Sequence, residues 1–381
     1  MPEIAPFQAL RYAEGVDLAE VTTPPYDVIP PAEQERLRAS SPLNFVHVIL
    51  PDGAAERYAK GAATFREWIE RGVLVTDPAP AYYFYESDYA TSQGQKSTAG
   101  LLCALRLESL GEGVLPHERT MPGPKADRLE VLRHSRASLE PLWFVASDHL
   151  PELVKAFEAL SVDAPSAEVM DRDGVRHRMW RVQPERIEPV AQALAGTPVV
   201  IADGHHRYET ALAYREEQRR NAGEGPWDFT LALIADPESS PPTLLPIHRL
   251  ARGVSEEEIG SRVRLEPFDG SFDYLVSGLR PGRIGLAVGA NRWEFRTEGP
   301  LDSAYLTEHV LEGLVAEVEF QHDLAIVEER IERGDAGFLL APVPLRLVVE
   351  AASKREVMPP KTTLFWPKPR SGLVVRDLAA E

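Results

Sequence analysis

One stretch near the middle of the chain most strongly constrains the fold, because a strand pattern gives way to a helix pattern across a single turn. The apolar run at 198–202 is short and rich in β-branched residues, which is typical of a buried strand. Asp203 and Gly204 then form a turn signal, and residues 208–220 have the composition and apolar face of a helix. A second apolar run at 229–235 predicts the following strand. The stretch therefore predicts a strand–turn–helix–strand unit.

The turn carries residues that are suited to holding an anion, and they are Asp203, Gly204, His205, His206 and Arg207. The first amides of a helix point outward and its dipole favours negative charge there, while Arg207 adds a planar cation. In the structural alternative, Asp203 caps the helix, Gly204 forms the turn and the histidines are a hydrogen-bonded pair. Because so many charged and titratable groups crowd one strand end, we favour a phosphate-binding turn. Two neighbours are further site candidates, Tyr208 and Glu209.

A second charged segment lies upstream, in a loop rich in glycine and proline. Glu118 can act as a general base if partial burial raises its pKa, and His117 beside it is a second catalytic candidate. Lys125 and Arg128 offer cations to phosphate oxygens, and Asp127 between them is another site candidate. The structural alternative is a solvated surface cluster of charges.

Two proline-rich segments add further candidates. In an N-terminal loop, prolines on both sides hold Tyr26 and Asp27 in a rigid conformation, so that Asp27 either faces a ligand or merely accompanies a packed Tyr26. The segment 358–372 is basic and aromatic within an acidic protein. It either docks as an arm or closes over an anion, and we favour the second interpretation for Lys361 and Thr362.

Composition limits the choice of partners and compartment. The net charge of −18 repels nucleic acids and anionic membranes, and no run of lysine or arginine supplies a basic patch. No apolar stretch reaches the roughly 18 residues of a transmembrane helix. The N-terminus lacks a signal-peptide pattern, and the single cysteine, Cys103, suits a reducing compartment. We expect a cytoplasmic protein with no nucleic-acid or membrane partner, and a small anionic ligand in a local cationic pocket stays compatible with this charge. The oligomeric state is left open, a homo-oligomer included.

The pattern of elements predicts an α/β to α+β fold with mixed sheets, divided into three regions. An α+β region covers 1–110. The region 111–250 contains both charged segments and the strand–turn–helix core, with an inserted hairpin near 161–183. Shorter α+β elements fill 251–381, whose basic tail is expected to return to the site.

Four motifs resemble the DUF1015 family in their order and spacing, and the likeness covers essentially the whole chain. The family name itself records an unknown activity. The motifs are PYDVI at 25–29, HERT at 117–120 followed by Lys125, Asp127 and Arg128, ADGHHRYETAL at 202–212, and MPPKTT at 358–363.

The strand–Asp-Gly-His-His-Arg–helix unit is also similar to the signature of the ParB/sulfiredoxin-like fold, in which an equivalent turn binds nucleotide phosphates. Free serine kinases of that superfamily carry a Pro-His-Glu element upstream, whose glutamate is the catalytic base. Pro116, His117 and Glu118 match that element here. The resemblance implies a ParB/sulfiredoxin-like core, a nucleotide site at the turn and Glu118 as the base.

These observations lead to three functional hypotheses. The first is a nucleotide-dependent phosphotransferase that uses ATP or ADP with Mg²⁺ on a small hydroxyl-bearing metabolite, with Asp203 as helix cap or magnesium ligand. The second is a non-catalytic nucleotide or metabolite sensor that uses the same turn. The third, a metal-dependent hydrolase, is ranked last because no zinc-ligand spacing is present, and it would draw on His117, Glu118, His205, His206 and His248.

Overall fold

A computed structural model describes most of the chain. The described residues are 2–54, 56–91, 94–118, 122–314 and 317–380, with the backbone alone at 122–124. Arg119 and Thr120 of the upstream motif lie outside them.

Contacts divide the chain into two compact units. The first unit comprises Met1–Pro116, Thr120–Pro242 and Pro367–Glu381. The second unit comprises His117–Arg119 and Thr243–Trp366. These boundaries differ from those of the three regions expected from the sequence, and that three-region division stays a prediction.

The strands of both units are numbered here in chain order. They are β1 (Ile4–Ala5), β2 (Ala9–Tyr12), β3 (Leu74–Thr76), β4 (Tyr82–Thr91), β5 (Gly94–Arg106), β6 (Val114–Leu115), β7 (Ala137–Ser138), β8 (Leu142–Ala146), β9 (Ala167–Met170), β10 (Arg176–Val182), β11 (Val199–Asp203), β12 (Phe229–Ala235), β13 (Thr243–Leu245), β14 (His248–Ala251), β15 (Glu266–Pro267), β16 (Arg283–Val288), β17 (Asn291–Arg296), β18 (Val318–Gln321), β19 (Ala336–Leu339), β20 (Leu364–Trp366) and β21 (Val375–Asp377).

The α-helices are numbered in the same way, and short 3₁₀ turns and one π-helical segment (Leu306–Leu311) accompany them. They are α1 (Leu18–Val21), α2 (Pro31–Ser40), α3 (Val46–Ile49), α4 (Arg57–Glu70), α5 (Pro122–Ser135), α6 (Pro151–Leu160), α7 (Glu188–Leu194), α8 (His205–Ala222), α9 (Glu256–Gly260), α10 (Phe272–Ser277), α11 (Asp302–Tyr305), α12 (Leu324–Glu332) and α13 (Leu345–Ser353).

The first unit is built on a nine-stranded mixed sheet. Its strand order is β6-β11-β8-β12-β5-β4-β10-β9, and β1 pairs with β5 beside this path. Strands β11 and β12 flank β8, the first antiparallel and the second parallel to it. The hairpin of β9 and β10 belongs to the same sheet, because β10 pairs with β4 along its whole length. A four-stranded sheet in the order β3-β2-β21-β7 brings the C-terminal segment into this unit.

The stretch at 198–220, which most strongly constrains the fold, forms the predicted strand, turn and helix. All apolar residues of β11 are buried, as its β-branched composition predicts. Only Gly204 separates the end of β11 from helix α8, which begins at His205 and is longer than the predicted 208–220. It ends where Gly223 adopts a positive φ of 78°. Both histidines of the motif therefore lie within the first helical turn.

The second unit contains a separate antiparallel sheet. Six strands follow the order β15-β17-β16-β19-β14-β18, and β13 pairs with β20 in a two-stranded sheet. A buried cluster that includes Leu286, Phe295 and Phe338 forms its core. The mixed sheets of both units confirm the α/β to α+β class predicted from the sequence. Within the described part of the chain, every helix is too short or too polar to cross a bilayer.

Phe144 should be critical for stability because it joins the strand β8 to the helix that carries the site. Its side chain is fully buried, and its ring lies edge-on to that of Tyr208 in α8, with 6.1 Å between ring centroids. Phe144→Ala should lower the free energy of unfolding by about 3–5 kcal/mol, as measured by urea denaturation. Val162, which is 83% exposed, provides the control: Val162→Ala should change it by no more than about 0.5 kcal/mol. Equal effects of the two substitutions would contradict this account of the core.

Candidate functional site

Gly204 allows the strand to turn directly into the helix. Its backbone has φ 99° and ψ 28°, the left-handed region in which residues with a Cβ are strained. A Cβ at this position would also lie 2.6 Å from Leu142 Cδ2 and 3.2 Å from Arg207 Nη2. Glycine is thus required by the backbone conformation and by the close packing of the Arg207 guanidinium.

The Asp203 carboxylate lies at the centre of an ion cluster. One oxygen accepts a hydrogen bond from Arg207 Nη2 at 2.7 Å, and the other forms an ion pair with Lys368. Burial by itself raises the pKa of Asp203, but the charges of Lys368 and Arg207 outweigh it, and the pKa is lowered. Asp203 is therefore ionised at neutral pH. Its hydrogen bond and ion pair are with these two cations, and the N-cap position of α8 is Gly204, which has no side chain to cap the helix.

Arg207 is held by groups on several sides but keeps one donor unused. Its side chain is only 9% exposed, and Nη1 donates to the carbonyl oxygen of Pro141 at 3.0 Å. Its Nε is buried and has no hydrogen-bond partner among the described residues. Burial alone lowers the pKa of Arg207, yet nearby carboxylates outweigh it and raise the pKa. Those carboxylates belong to Glu140, Asp203 and Asp27, in order of influence.

A partly open cleft that encloses about 70 Å³ adjoins Arg207 within the first unit. Arg207, Thr210 and Ala211 of α8 line one side, and residues of α5 line another. The remaining wall is half apolar, and its polar residues are Ser138, Glu140 and Thr230. The combination of an apolar wall with a few polar groups is typical of small-ligand sites.

The N-terminal proline-rich loop is tied to this cleft through Glu140. The backbone amide of Tyr26 donates to Glu140 Oε1 at 3.0 Å, and Ser371 Oγ donates to the same oxygen at 2.9 Å. Asp27 follows in a short 3₁₀ turn, is exposed, and acts on Arg207 through its charge. The sequence-predicted Asp27 therefore lies within electrostatic range of the turn.

Arg128 and Asp127 are engaged with each other and with the protein interior. Arg128 Nε donates to Asp127 at 2.8 Å, and Nη1 donates to the Ile49 carbonyl oxygen at 2.8 Å. The guanidinium also lies over the Tyr26 ring, 4.0 Å from its centroid. Asp127 accepts further hydrogen bonds from Arg57 and Tyr58. Arg128 lines the cleft, so a phosphate could reach it only in addition to these contacts.

The remaining candidates near the turn have structural contacts. Lys125 forms an ion pair with Glu209 of α8, which joins α5 to α8. Tyr208 is fully buried, and its hydroxyl donates to the backbone carbonyl oxygen of Glu108 at 2.8 Å. The contacts of Tyr208 and Glu209 thus position α8. His205 and His206 are half-buried in the first turn of this helix.

The upstream and tail candidates meet each other in the second unit. Glu118 and Met358 form a parallel β-bridge, and Glu118 Oε1 accepts a hydrogen bond from the Lys361 amide at 3.0 Å. Lys361 has a positive φ of 59°, and this bond supports its turn. His117 is buried and pairs with Thr363 Oγ1 at 2.8 Å.

The candidates therefore fall into two groups. The group of the first unit is Asp27, Lys125, Asp127, Arg128, Asp203, Gly204, His205, His206, Arg207, Tyr208 and Glu209; the group of the second unit is His117, Glu118, Lys361 and Thr362. The expectation that Glu118 and Arg207 line one pocket stays a prediction.

Sequence reasoning missed Lys368, which pairs directly with Asp203, and Glu140, whose charge acts on Arg207. Lys368 lies within the basic segment that was singled out, between Pro367 and Pro369, but nothing in the pattern distinguished it from Lys361. Glu140 is an isolated acidic residue with no local signal, and only the fold places it beside the cleft.

A metal-dependent hydrolase would need a cluster of metal ligands. Within the described residues, no group of three or more histidine, cysteine, aspartate or glutamate side chains could hold a metal ion. His248 is fully buried, its Nδ1 accepts a hydrogen bond from the Leu340 amide at 3.2 Å, and its Nε2 lacks a partner among these residues. His248 is therefore a buried structural residue of the second unit.

Fold and site define a mixed α/β protein with a strand–turn–helix ion cluster beside a partly apolar cleft. The sequence matches the family model DUF1015, a family of unknown function, over residues 4–314. The chain belongs to that family. No curated protein matches the sequence. Family membership thus agrees with the resemblance seen in the four motifs and leaves the activity open.

Three similar solved structures show low similarity to this chain. A free serine kinase variant in complex with ADP has a TM-score of 0.36 and 17% identity, covering 66% of this chain and 84% of that one. SbnI with a C-terminal truncation, from Staphylococcus aureus, has a TM-score of 0.40 and 11% identity, covering 72% and 87%. A conserved hypothetical protein from Pyrococcus furiosus has a TM-score of 0.35 and 16% identity, covering 68% and 88%.

His248 should make the stability of the second unit depend on pH. Burial, followed by the charges of Arg249 and His322, lowers the pKa of His248 to about 4. Between about pH 6.5 and 4, His248 is protonated in the unfolded chain but not in the folded one. The free energy of unfolding therefore decreases as the pH is lowered across that window. The contribution lost is on the order of 3 kcal/mol.

Urea unfolding at several pH values between 7 and 4 tests this expectation. His248→Gln should reduce the pH dependence of the unfolding free energy, whereas His309→Gln, which alters an exposed histidine of the same unit, should retain it. An unchanged pH dependence in His248→Gln would show that another group is responsible.

Proposed function

We propose that this protein is a nucleotide-dependent phosphotransferase, a kinase for a small hydroxyl-bearing metabolite, and that the turn at 203–207 receives the nucleotide phosphates. The observation that carries the proposal is the Arg207 guanidinium, which is buried at the first turn of α8 beside the cleft and whose Nε has no partner among the described residues. A buried donor without a partner is costly, and a charged acceptor from a ligand would remove that cost. The helix dipole favours the same kind of ligand.

The adjoining cleft suits the rest of a nucleotide. Its apolar wall, formed by residues such as Val131, Leu139 and Leu142, offers a surface for a planar base. The hydroxyls of Thr210 and Thr230 and the carboxylate of Glu140 supply polar contacts on other sides. In the proposal the phosphates lie towards Arg207, with His205 and His206 as additional donors in the first helical turn.

The charges around the turn explain why Mg²⁺ is part of the proposal. Asp203, Glu140 and Asp27 all place negative charge near Arg207, so that a polyphosphate would meet repulsion as well as attraction. Mg²⁺ is usually held by one or two carboxylates together with substrate phosphates. Asp203 is the candidate carboxylate, and it could take that role only by exchanging its contact with Lys368. The ion would supply additional positive charge for the phosphates.

Phosphoryl transfer also needs a group that accepts the proton of the attacking hydroxyl. Glu118 is the proposed base because it matches the glutamate of the Pro-His-Glu element, and its Oε1 accepts the Lys361 amide. Arg207 would stabilise the charge that develops on the phosphate oxygens, which is the main requirement of this reaction class. The proposal therefore requires Glu118 and Arg207 to act on one bound substrate pair.

A non-catalytic nucleotide sensor is the second candidate, and one contact favours it. The bond from the Lys361 amide to Glu118 supports a strained turn, which gives the carboxylate a structural role without any chemistry. In that case the turn at 203–207 would bind nucleotide in the same way, and no phosphoryl group would be transferred.

Arg207→Ala tests the phosphate site. Calorimetry with ATP and ADP should detect binding by the wild-type protein, tighter with Mg²⁺ than without it. Arg207→Ala should weaken that binding about 10- to 100-fold, because a charge-assisted hydrogen bond to the ligand is lost. Arg220→Ala is the matched control, since Arg220 is an exposed arginine at the other end of α8. If wild-type protein binds neither nucleotide under either condition, the proposal is wrong.

Glu118→Gln separates the kinase from the sensor. Glutamine can still accept the Lys361 amide but cannot take up a proton, so the turn should be retained while phosphoryl transfer falls about 10²- to 10⁴-fold. Transfer from radiolabelled ATP to a pool of hydroxyl metabolites provides the assay, and Glu112→Gln, at an exposed position nearby, is the control. Nucleotide binding that survives Glu118→Gln, together with no transfer by the wild type, would support the sensor instead.

A further inference from the structure

Both oxygens of the Asp203 carboxylate are bound to cations of the protein itself. Oδ2 accepts a hydrogen bond from Arg207, and Oδ1 accepts one from the Lys368 ammonium. The Asp203 side chain is only 12% exposed. A third cation at the same carboxylate would be repelled by the two already there. Asp203 can therefore bind Mg²⁺ only by giving up one of these partners.

Lys368 is the partner that can be exchanged more easily. Arg207 lies in a long helix and is also held by the Pro141 carbonyl oxygen, 3.0 Å from its Nη1. Among the described residues, Lys368 has its hydrogen bond and its ion pair with Asp203 alone. Its flexible four-carbon side chain ends in a compact ammonium, which can move while the backbone stays in place. Exchange at Asp203 therefore costs fewer contacts at Lys368 than at Arg207.

The backbone on both sides of Lys368 is fixed, which keeps the ammonium close to Asp203. Pro367 and Pro369 flank Lys368 and restrict its conformation. The next residue, Arg370, is buried, and its amide donates to the Tyr85 hydroxyl at 2.9 Å. A cation tethered in this way has a high effective concentration at its partner, so it competes well with ions from solution.

The charge of Lys368 serves the same purpose at the turn as a metal ion would. Asp203 places negative charge where phosphates are proposed to bind, and Lys368 offsets it. Within the described part of the chain, no group of three or more metal-ligating side chains could hold a divalent ion. Such an ion would therefore need the phosphates of the nucleotide as further ligands. Lys368 is in place before any nucleotide arrives.

We propose that the Lys368 ammonium is a built-in counter-cation at Asp203, which competes with Mg²⁺ for this carboxylate and so determines how strongly nucleotide binding depends on the metal. While Lys368 stays on Asp203, a nucleotide meets a neutralised carboxylate and binds without a metal ion. Once Lys368 leaves, Asp203 is available to the metal–nucleotide complex. This inference rests on the proposed function, because it assumes that nucleotide phosphates bind at the 203–207 turn.

Calorimetry of the full chain with ADP, in EDTA and in excess Mg²⁺, tests the competition in Lys368→Met. Methionine keeps an unbranched apolar side chain but removes the charge. Binding in EDTA should weaken about tenfold or more, because Asp203 then repels the phosphates. Binding in Mg²⁺ should stay the same or become tighter, because Lys368 no longer competes for Asp203. The enhancement of ADP affinity by Mg²⁺ should therefore be at least about tenfold larger than in the wild type.

Lys155→Met is the matched control, since Lys155 is an exposed lysine of the same unit, and it should leave both affinities unchanged. Equal losses in EDTA and in Mg²⁺ for Lys368→Met would show that Lys368 only holds the turn or contacts the phosphates, and would overturn the competition. Unchanged affinities in both conditions would overturn it too. If the wild-type protein binds ADP in neither condition, the proposed function itself is wrong, so the two failures can be told apart.

A double variant covers the case in which Lys368→Met fails to fold, since that substitution removes one partner of a buried carboxylate. Asp203→Asn combined with Lys368→Met removes both charges of the pair. The double variant should bind ADP in EDTA to within about threefold of the wild type, and Mg²⁺ should not tighten that binding. A Mg²⁺ enhancement as large as that of the wild type would show that Asp203 is not the carboxylate for which Lys368 competes.

Discussion

The rest of the candidate site depends on the ion pairs of the Asp203 carboxylate, because they join the strand–turn–helix unit to the C-terminal segment. Asp203 ends β11, accepts a hydrogen bond from Arg207 in α8, and pairs with Lys368 of the C-terminal segment. All three side chains are about nine-tenths buried. Removing one member of a buried ion cluster leaves an uncompensated charge, which typically costs about 3–5 kcal/mol. The turn, the helix start and the tail are therefore held in place together.

The C-terminal segment extends this dependence to the N-terminal loop. Arg370 donates through its side chain to Thr22, and Ser371 exchanges backbone hydrogen bonds with Thr23. Ser371 also donates to Glu140, the same carboxylate that accepts the Tyr26 amide. The proline-rich loop, the cleft residue Glu140 and the tail thus share one network. Such a hydrogen-bond network can bring residues more than 300 positions apart to one site, because each contact satisfies a buried polar group that would otherwise be unpaired.

The parts that the sequence predicted well are those fixed by neighbouring residues. The apolar run, Gly204 and the helix formers specify β11 and α8 locally, and the mixed fold class follows from the alternation of such elements. The choice between Lys361 and Lys368 could not be made in this way, because it depends on which lysine of the tail lies near Asp203 in the fold. Arg128 illustrates the same limit: its charge suggested a ligand, whereas burial gave it internal partners in Asp127 and Ile49.

The balance of charge around the turn bears on what kind of selectivity this site can have. Arg207 and Lys368 contribute two positive charges, while Asp203, Glu140 and Asp27 contribute three negative ones. Electrostatic attraction between these charges and an anion therefore cannot by itself select one anion over another, especially in a chain with net charge −18. Under the proposed function, discrimination has to come from directional donors and from the shape of the cleft. These donors are the first amides of α8 and the Nε of Arg207, which has no partner among the described residues. A ligand that fills only the anion position gains little here, whereas one that also occupies the apolar wall gains both contributions.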